Sequence, residues 1–432
     1  MFKISPCTSA GAGAGRLLVV MAAVAMANPA QAGLGVFEHG AGIKAMGFGG
    51  VSYAVGDEST SLPINPAVAV ALGNRFDVGV DIFAPRAVAA YRGNMAPGPA
   101  DARYLTESDR YYPVPQGGAA IVLDDRTSLG FTLYSAGLGP HYRYSPYQRF
   151  GGAPRASLDL ASTSLTTALA YRLTPSQAVG VGLSLGYQTL NVQGLQFLGA
   201  TEPASQLSDK PGRTTNMGND GALTAGFSLG WQGQLTPSLA AGAGYRSRSW
   251  AQQHKEYAGL LPGGGSLQLP AVYGAGFTYR FGPAWTAGFD WQRIANESEK
   301  MFGNRLSALS QGQRFGAEDG PGFGFRDQSA YKFGLAWQVD PALLLRAGYI
   351  HANEPVRESD TLLAFLGCVT SSTHYTLGMT YVKSAWEYSG FFAYEPSKRV
   401  EGHNSIPASF GGGEADVAFE VYSIGVSLGR HF

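Results

Sequence analysis

Hydrophobic and small polar residues alternate along many segments of this sequence. Residues 179–188, VGVGLSLGYQ, have an aliphatic or aromatic side chain at every odd position and glycine, serine or glutamine at every even one. Residues 223–232, LTAGFSLGWQ, repeat the pattern. A period of two is typical of a β-strand whose two faces meet different surroundings. Each segment has about the length, roughly 9–11 residues, with which a tilted strand crosses a membrane.

The connections between these segments alternate between two lengths. Short connections rich in Pro, Gly and Asp occur at 124–126, 173–176, 235–238, 281–283, 339–342 and 383–385. Long polar connections lie near 85–114, 137–157, 191–219, 251–267, 294–326, 353–371 and 397–416. Bacterial outer-membrane barrels have an even number of strands, with short periplasmic turns and long outer loops. We therefore predict an all-β fold, a transmembrane antiparallel β-barrel of about 14 strands over residues 75–432.

Composition separates this barrel from a soluble β-sandwich, which shows the same alternation. Charged residues make up 14% of the chain, against about 25% in soluble proteins. The predicted outward faces carry many rings and almost no charge, and such a surface would aggregate in water. Lys plus Arg and Asp plus Glu number 31 each, so no net field attracts nucleic acid. These features favour a barrel bounded by outer-membrane lipid and no nucleic-acid partner.

The first 32 residues have the features of a secretory signal peptide. Lys3 and Arg16 precede a short apolar core at 17–27, and a small-x-small cleavage site follows at 30–32. The alternative is a membrane-spanning helix, which needs about 20 apolar residues. The apolar core at 17–27 is shorter than that. We expect the signal to be removed, leaving a separate segment of mixed character, 33–74, before the first strand.

The last residues, 422–432, also alternate, so the chain is predicted to end on a strand. A bilayer tolerates no unpaired sheet edge, and this strand must therefore close the barrel. The terminal ring of Phe432 resembles the end that outer-membrane assembly machinery recognises, which makes that machinery an expected partner.

Residues in the segment before the first strand carry a family resemblance. In order they are Phe37, Gly42-Ile43-Lys44-Ala45, Gly49-Gly50 and Asn65-Pro66-Ala67. This order resembles the N-terminal hatch of the FadL-type outer-membrane transporters of long-chain fatty acids and other hydrophobic compounds. Further similar segments are 235–248, 267–291 and 339–356. The resemblance spans nearly the whole mature chain.

The resemblance implies a 14-stranded barrel in the Gram-negative outer membrane, plugged by the hatch. The plug residues would include Phe37, Gly42, Asn65, Pro66 and Ala67. Uptake would be passive: cargo lands on an outer apolar groove, moves to an internal site and leaves through a lateral opening beside an inward-bent third strand. Long-chain fatty acids are the favoured cargo, and neutral aromatic hydrocarbons are the alternative. A general porin or an adhesin fits less well, because 33–74 is long enough to fill the lumen.

Strand parity places several charged side chains in the lumen, among them Arg246, Arg248, Lys332 and Arg346. Such cations either pair with plug carboxylates or hold the carboxylate of a ligand. We predict ligand binding at these four, with Arg246 and Arg248 contacting the headgroup. Arg280, Asp290 and Glu387 share the lumenal parity.

Two further predictions concern the ends of the cargo route. Apolar side chains within polar loops predict an outer groove at Leu195, Phe197, Leu198, Met301 and Phe302, and 301–309 have roughly helical spacing. Gly130 lies in the predicted third strand, where a glycine permits a bulge or bend, and is the candidate for the lateral opening.

The sequence offers poor material for an enzyme. A hydrolase needs a nucleophile or acidic pair with a histidine in reach, and the candidates are His403-Asn404-Ser405 in one loop and Asp124-Asp125 in a turn. The seven histidines are scattered and Cys368 is the one cysteine after the signal, so no metal motif or disulfide framework is expected. We predict a transport protein without catalytic residues, cofactor or metal.

Overall fold

The computed structural model describes residues 34–202, 206–367 and 372–432. The predicted signal peptide and Cys368 lie outside these residues. Fourteen long strands form one antiparallel sheet. They are β1 Arg75–Arg92, β2 Tyr112–Val122, β3 Thr127–Leu138, β4 Ala156–Thr174, β5 Gln177–Gln193, β6 Asp220–Thr236, β7 Leu239–Arg246, β8 Val272–Phe281, β9 Trp285–Ile294, β10 Gln328–Gln338, β11 Leu343–Ala352, β12 Thr373–Lys383, β13 Trp386–Val400 and β14 Glu414–His431.

Each strand pairs with the next along the chain, and β1 also pairs with β14. The closing ladder runs from Arg75–His431 to Arg92–Glu414 without a register shift. The Phe432 N–H then donates to the Asn74 carbonyl at 3.0 Å. The sheet is therefore a closed 14-stranded barrel in which the C-terminal strand removes the free edge, as the sequence predicted.

Short and long connections alternate around the barrel as predicted. The turns β2–β3, β4–β5, β6–β7, β8–β9, β10–β11 and β12–β13 lie at one end, and seven long loops lie at the other. The loops contain three short strands, Ala102–Leu105, His141–Tyr142 and Trp250–Ala251. Odd-numbered strands thus run from the turn end to the loop end. A residue's place along its strand therefore tells how far it lies from either end of the barrel.

The outward face of the barrel is apolar and the lumenal face is small and polar. On β5, Val181, Leu183 and Leu185 are 53%, 57% and 59% exposed, while the residues between them face inward. A row of rings crosses the outer face of five strands at Phe277, Phe289, Phe333, Tyr349 and Tyr375. Near the turn end, Trp285 and Trp337 stack with ring centroids 5.5 Å apart. This surface matches a lipid-facing band with aromatic girdles.

The helices are short and lie in the N-terminal segment and the loops. They are α1 Ile43–Gly47, α2 Ala69–Leu72, α3 Pro262–Gly265, α4 Lys300–Gly303 and α5 Thr361–Gly367. Single 3-10 turns occur at Ser59–Ser61, Pro66–Val68, Gln148–Phe150, Gln196–Gly199, Pro211–Arg213, Lys255–Tyr257, Asn296–Ser298, Leu306–Gln311 and Ala408–Phe410. The helical spacing of 301–309 is realised as two pieces, α4 and the turn that begins at Leu306. Among the described residues, no helix is long and apolar enough to cross a membrane.

Residues 34–74, called the plug here, lie inside the barrel against the lumenal faces of the strands. Glycines on those faces make the close approach possible. A Cβ added at Gly378 on β12 would lie 2.8 Å from the Cα of Gly47 in the plug, and one added at Gly47 would lie 2.7 Å from Gly378. On β5, a Cβ at Gly180 would overlap the backbone of Ala67. Some of the many glycines therefore serve to leave room for the plug.

Candidate functional site

Two of the four predicted ligand cations hold the plug to the barrel wall. The Lys332 Nζ donates to the His39 carbonyl at 2.7 Å and to the Gln292 Oε1 at 2.9 Å. Arg346 Nη2 donates to Asp57 Oδ2 at 3.1 Å. These contacts match the alternative in which lumenal charges pair with the plug, and the ligand-binding roles of both residues stay predictions.

The lumenal carboxylates serve the same purpose. Asp290 Oδ2 accepts hydrogen bonds from the backbone N–H groups of Ser52 at 2.7 Å and Tyr53 at 3.1 Å. Glu387 Oε2 pairs with Lys44 Nζ of the plug at 2.5 Å. Charge-assisted hydrogen bonds of this kind are stronger than neutral ones. The plug is consequently fastened at several heights of the wall.

Asn65-Pro66-Ala67 is a second fastening point. Asn65 Oδ1 caps the following 3-10 turn by accepting from the Ala67 N–H at 3.1 Å. Its Nδ2 donates to the carbonyl of Tyr53 in the plug at 2.7 Å and to the carbonyl of Trp231 on β6 at 2.9 Å. The side chain is fully buried, so one amide links two plug segments to the wall.

Asn65→Ala should lower the free energy of unfolding by about 1–3 kcal/mol, because it leaves buried carbonyls without a donor. The measurement is denaturant unfolding of the protein in detergent. Asn219→Ala is the matched control, since this asparagine is exposed in a loop and its side chain bonds only the partly exposed Asn191 among the described residues. Equal unfolding of both variants would contradict the fastening role of Asn65.

Arg246 has different surroundings from Lys332 and Arg346. Its guanidinium carbon lies 4.3 Å from the ring centroid of Phe37 in the plug and 4.9 Å from that of Tyr134 on β3. Its Nη1 is buried and has no hydrogen-bond partner among the described residues. Both rings can stabilise the cation, but neither takes up the Nη1 donor. Arg246 is thus charged, enclosed and available to an acceptor.

A cavity of about 50 Å³ is lined in part by Arg246. Phe37, Tyr134 and Leu269 supply apolar side chains to its lining. The hydroxyl groups that line it belong to Ser162, Ser164, Thr166, Ser184, Thr224, Ser247 and Ser249. A site with apolar walls and a few converging polar groups is typical of small-molecule binding. We call it the Arg246 cavity.

Arg248 lies outside this cavity, two residues beyond the end of β7. Its side chain is 42% exposed and its Nη1 is 3.3 Å from Glu299 Oε1 in the loop after β9. Burial raises the pKa of the Glu299 carboxyl, and the Arg248 guanidinium offsets part of this rise. The structure therefore does not bring Arg246 and Arg248 together around one headgroup.

The predicted outer-groove residues meet in the loops at the outer end. Leu195, Leu198, Met301 and Phe302 are buried there. Phe197 is partly exposed and contacts the rings of Tyr147, Phe150 and Phe410. An open groove of about 620 Å³ lies nearby, lined by Leu207, Leu306, Leu309, Arg314 and Pro407 among others. Four of the five predicted side chains pack the loop interior, and their groove role stays a prediction.

The wall contains a gap between β2 and β3. Their ladder runs from Val122–Ser128 to Gly117–Leu133 and ends there, leaving 112–116 and 134–138 without mutual pairing. On the other side, β3 stays paired with β4 over its whole length. The Gly137 N–H, freed from the ladder, donates to the Val36 carbonyl of the plug at 3.0 Å. The first residues of the plug thus lie beside the segment of β3 that β2 leaves unpaired. We call this break in the β2–β3 ladder the wall gap.

Gly130 lies below the wall gap. It is paired with Ala120 on β2 and Ala168 on β4, and no register shift interrupts either ladder. A Cβ at Gly130 would overlap the side chain of Leu62 in the plug. The bulge suggested for this glycine is therefore not formed, and its space is used for plug packing, while the break in the wall starts at Tyr134.

Two hollows lie next to the wall gap. Phe37, Tyr134 and Ala136 line the Arg246 cavity inside the barrel. A hollow of about 380 Å³, lined by Tyr112, Pro113 and Leu138 among others, lies at the same unpaired segments. The sequence missed Tyr134 and the hydroxyl lining, because serine and threonine at alternate strand positions look like ordinary lumenal residues.

Comparisons with known proteins agree with this architecture. The model of the family described as "Outer membrane protein transport protein (OMPP1/FadL/TodX)" matches residues 19–385. A search of curated proteins found no match.

Several solved structures share the fold. The Pseudomonas putida toluene transporter TodX has a TM-score of 0.65 at 18% identity, covering 91% of this chain and 99% of that chain. The Ralstonia pickettii toluene transporter TbuX has a TM-score of 0.63 at 16% identity, covering 91% and 99%. A Pseudomonas aeruginosa FadL homologue has a TM-score of 0.64 at 15% identity, covering 91% and 98%.

Proposed function

Because the chain belongs to the outer-membrane transport protein family (OMPP1/FadL/TodX), we propose that its cargo is a long-chain fatty acid whose carboxylate binds Arg246. The chain is an outer-membrane transporter of hydrophobic compounds, and its family consists of transport channels. The observation that carries the cargo assignment is the enclosed Arg246 guanidinium with a free Nη1 donor. A buried donor without an acceptor costs about 1–3 kcal/mol, and a carboxylate would remove that cost.

The proposed route connects the hollows of the described structure. Cargo enters from the open groove at the outer loops, reaches the Arg246 cavity and leaves through the wall gap into the bilayer. The cavity of about 50 Å³ holds only a few water molecules, so cargo must widen it. Phe37 and Val36 are the residues that must move, since Phe37 covers Arg246 and Val36 bonds the free edge of β3.

Substitution of Arg246 tests the cargo. Arg246→Gln should weaken fatty-acid binding by about 1.5–3 kcal/mol, the value of a hydrogen bond to a charged group, or roughly 10- to 150-fold in Kd. Arg246→Lys should retain most of the affinity. The measurement is equilibrium binding of a radiolabelled long-chain fatty acid to the purified protein in detergent.

Arg280→Gln is the matched control. Arg280 shares the lumenal parity, but it lies at the turn end of β8, where its Nη2 donates to the Pro237 carbonyl at 3.0 Å. Its replacement should leave fatty-acid binding unchanged. Unaltered binding by Arg246→Gln would remove the carboxylate assignment.

A neutral aromatic hydrocarbon is the second candidate cargo. The rings of Phe37 and Tyr134 at the cavity favour it, and two similar structures are described as toluene transporters. In that case Arg246 is held by the rings alone and has no cargo role. Saturable binding of toluene, combined with no saturable binding of the fatty acid, would establish this alternative.

A further inference from the structure

Three metal-ligating side chains that belong to neither the Arg246 cavity nor the wall gap meet inside the barrel. They are His39 of the plug, His374 on β12 and Glu395 on β13, which are 3%, 0% and 1% exposed. Their ligand atoms all lie within 4.8 Å of one another. His374 Nδ1 is 3.0 Å from Glu395 Oε1, and the two imidazole rings have centroids 5.4 Å apart.

Two local backbone features lie beside these side chains. The β13–β14 ladder shifts register between Glu395 and Lys398, and an extra residue of this kind re-aims side chains in a sheet. The carbonyl of His39 accepts from the Lys332 Nζ at 2.7 Å, which fixes the plug backbone at this point. The cluster therefore depends on both the wall and the plug.

Two side chains of the cluster, His39 and Glu395, carry buried polar atoms that accept or donate no hydrogen bond among the described residues. His39 Nε2 accepts or donates no hydrogen bond among the described residues. Beyond its ion-pair contact with His374, the Glu395 carboxylate likewise accepts none from them. Buried polar atoms are almost always satisfied by protein, water or a bound ion. The arrangement thus points to a ligand between the three side chains.

The surrounding charge favours a cation. Asp81 on β1 is 1% exposed and its Oδ1 has no hydrogen-bond partner among the described residues. It interacts electrostatically with Glu395, and Glu38 of the plug interacts with Asp81. Lys332 is a nearby cation, and it interacts electrostatically with the carboxylate of Asp290. Acidic side chains that can neutralise a bound cation therefore lie around the two imidazoles.

We propose that His39, His374 and Glu395 bind a zinc ion that links the plug to the barrel wall. Two imidazole nitrogens and one carboxylate are a common zinc ligand set with a fourth position open to water. Zinc bonds of about 2.0–2.2 Å place ligand atoms roughly 3.4 Å apart. The His374 Nδ1–Glu395 Oε1 distance of 3.0 Å and the 4.8 Å limit on the others bracket this spacing. Calcium and magnesium prefer all-oxygen sites, so this set selects a transition metal.

Metal binding by the full chain in detergent tests the site. We expect one equivalent of Zn²⁺ to bind in competition with a chromophoric chelator, and Co²⁺ to give the visible absorption of a low-symmetry nitrogen–oxygen site. Zn²⁺ should also raise the unfolding temperature, because a ligand that binds only the folded state stabilises it. Neither readout depends on the identity of the cargo.

Single substitutions assign the ligands. His39→Gln and Glu395→Gln should each weaken zinc binding by at least the roughly 10- to 100-fold that loss of an outer-shell partner costs. His254→Gln is the matched control, since this buried histidine lies in an outer loop and contacts Gln188. It should bind zinc like the parent chain. Gel mobility of the unheated barrel verifies that each variant is folded.

Several outcomes would overturn the proposal. One is a folded parent chain that binds no zinc. Another is equal zinc loss in His254→Gln and His39→Gln, which would place the metal elsewhere. Binding of Ca²⁺ or Mg²⁺ in preference to Zn²⁺ would also contradict the ligand set.

Discussion

Removing residues 34–74 is expected to turn the barrel into a conducting pore for small polar solutes. The plug fills the lumen, and its contacts with Asp290, Lys332, Arg346 and Glu387 replace the water that would otherwise reach these charges. Without the plug, the same side chains line an aqueous channel, as in porins. The measurements are planar-bilayer conductance and liposome swelling with small sugars. The parent chain should be closed in both, and the deletion variant should be open.

A milder variant protects this test against misfolding. Arg346→Met removes one fastening point, the contact with Asp57, and should give brief openings within an otherwise closed record. Arg280→Met is its control, because Arg280 contacts no plug residue among those described. A folded deletion variant that stays closed would show that the outer loops, and not the plug, seal the barrel.

Closing the wall gap should abolish transport and leave cargo binding intact. Continuing the β2–β3 register places Pro115 opposite Ser135, within the unpaired segments. A short thiol crosslink in Pro115→Cys/Ser135→Cys would hold the two strands together across the gap. Cargo would then reach the Arg246 cavity but could not pass between the strands. Uptake by cells, and its recovery after cleavage of the crosslink, is the measurement.

The control crosslink lies lower on the same two strands. Ile121 and Leu129 are already paired, so Ile121→Cys/Leu129→Cys joins strands that the wall keeps together in any case. Both pairs are made in a Cys368→Ala background, which leaves no other thiol beyond the predicted signal peptide. Transport that survives the first crosslink would place the exit elsewhere, through the lumen to the periplasm.

Local patterns predicted which charged side chains reach the lumen. They did not predict which of these side chains contact one another or the plug. Strand parity placed Arg246, Lys332 and Arg346 in the lumen, because side chains alternate strictly along a strand. Parity carries no information on partners. Lys332 and Arg346 donate hydrogen bonds to the plug, whereas Arg246 contacts two rings and lines the Arg246 cavity. Arg248 is close to Arg246 in sequence, yet β7 ends between them and it pairs with a loop carboxylate.

The wall gap shows the same limit. A glycine in β3 suggested a bend at Gly130, but glycine also allows close packing, and Leu62 uses that space. The gap begins where the Val36 backbone replaces a strand contact. A backbone hydrogen bond between residues about a hundred positions apart leaves no trace in side-chain pattern.

By itself the sequence determined the class and the strand number of this barrel, since alternation, turn chemistry and loop length are local properties. It also determined that the chain must end by closing the sheet. Only the tertiary structure decided which lumenal charges hold the plug and which one stays available, and where the wall opens. It alone joined His39 to His374 and Glu395. Those outcomes depend on how a folded plug meets strands distant in sequence, and contacts of that kind are fixed by three-dimensional packing.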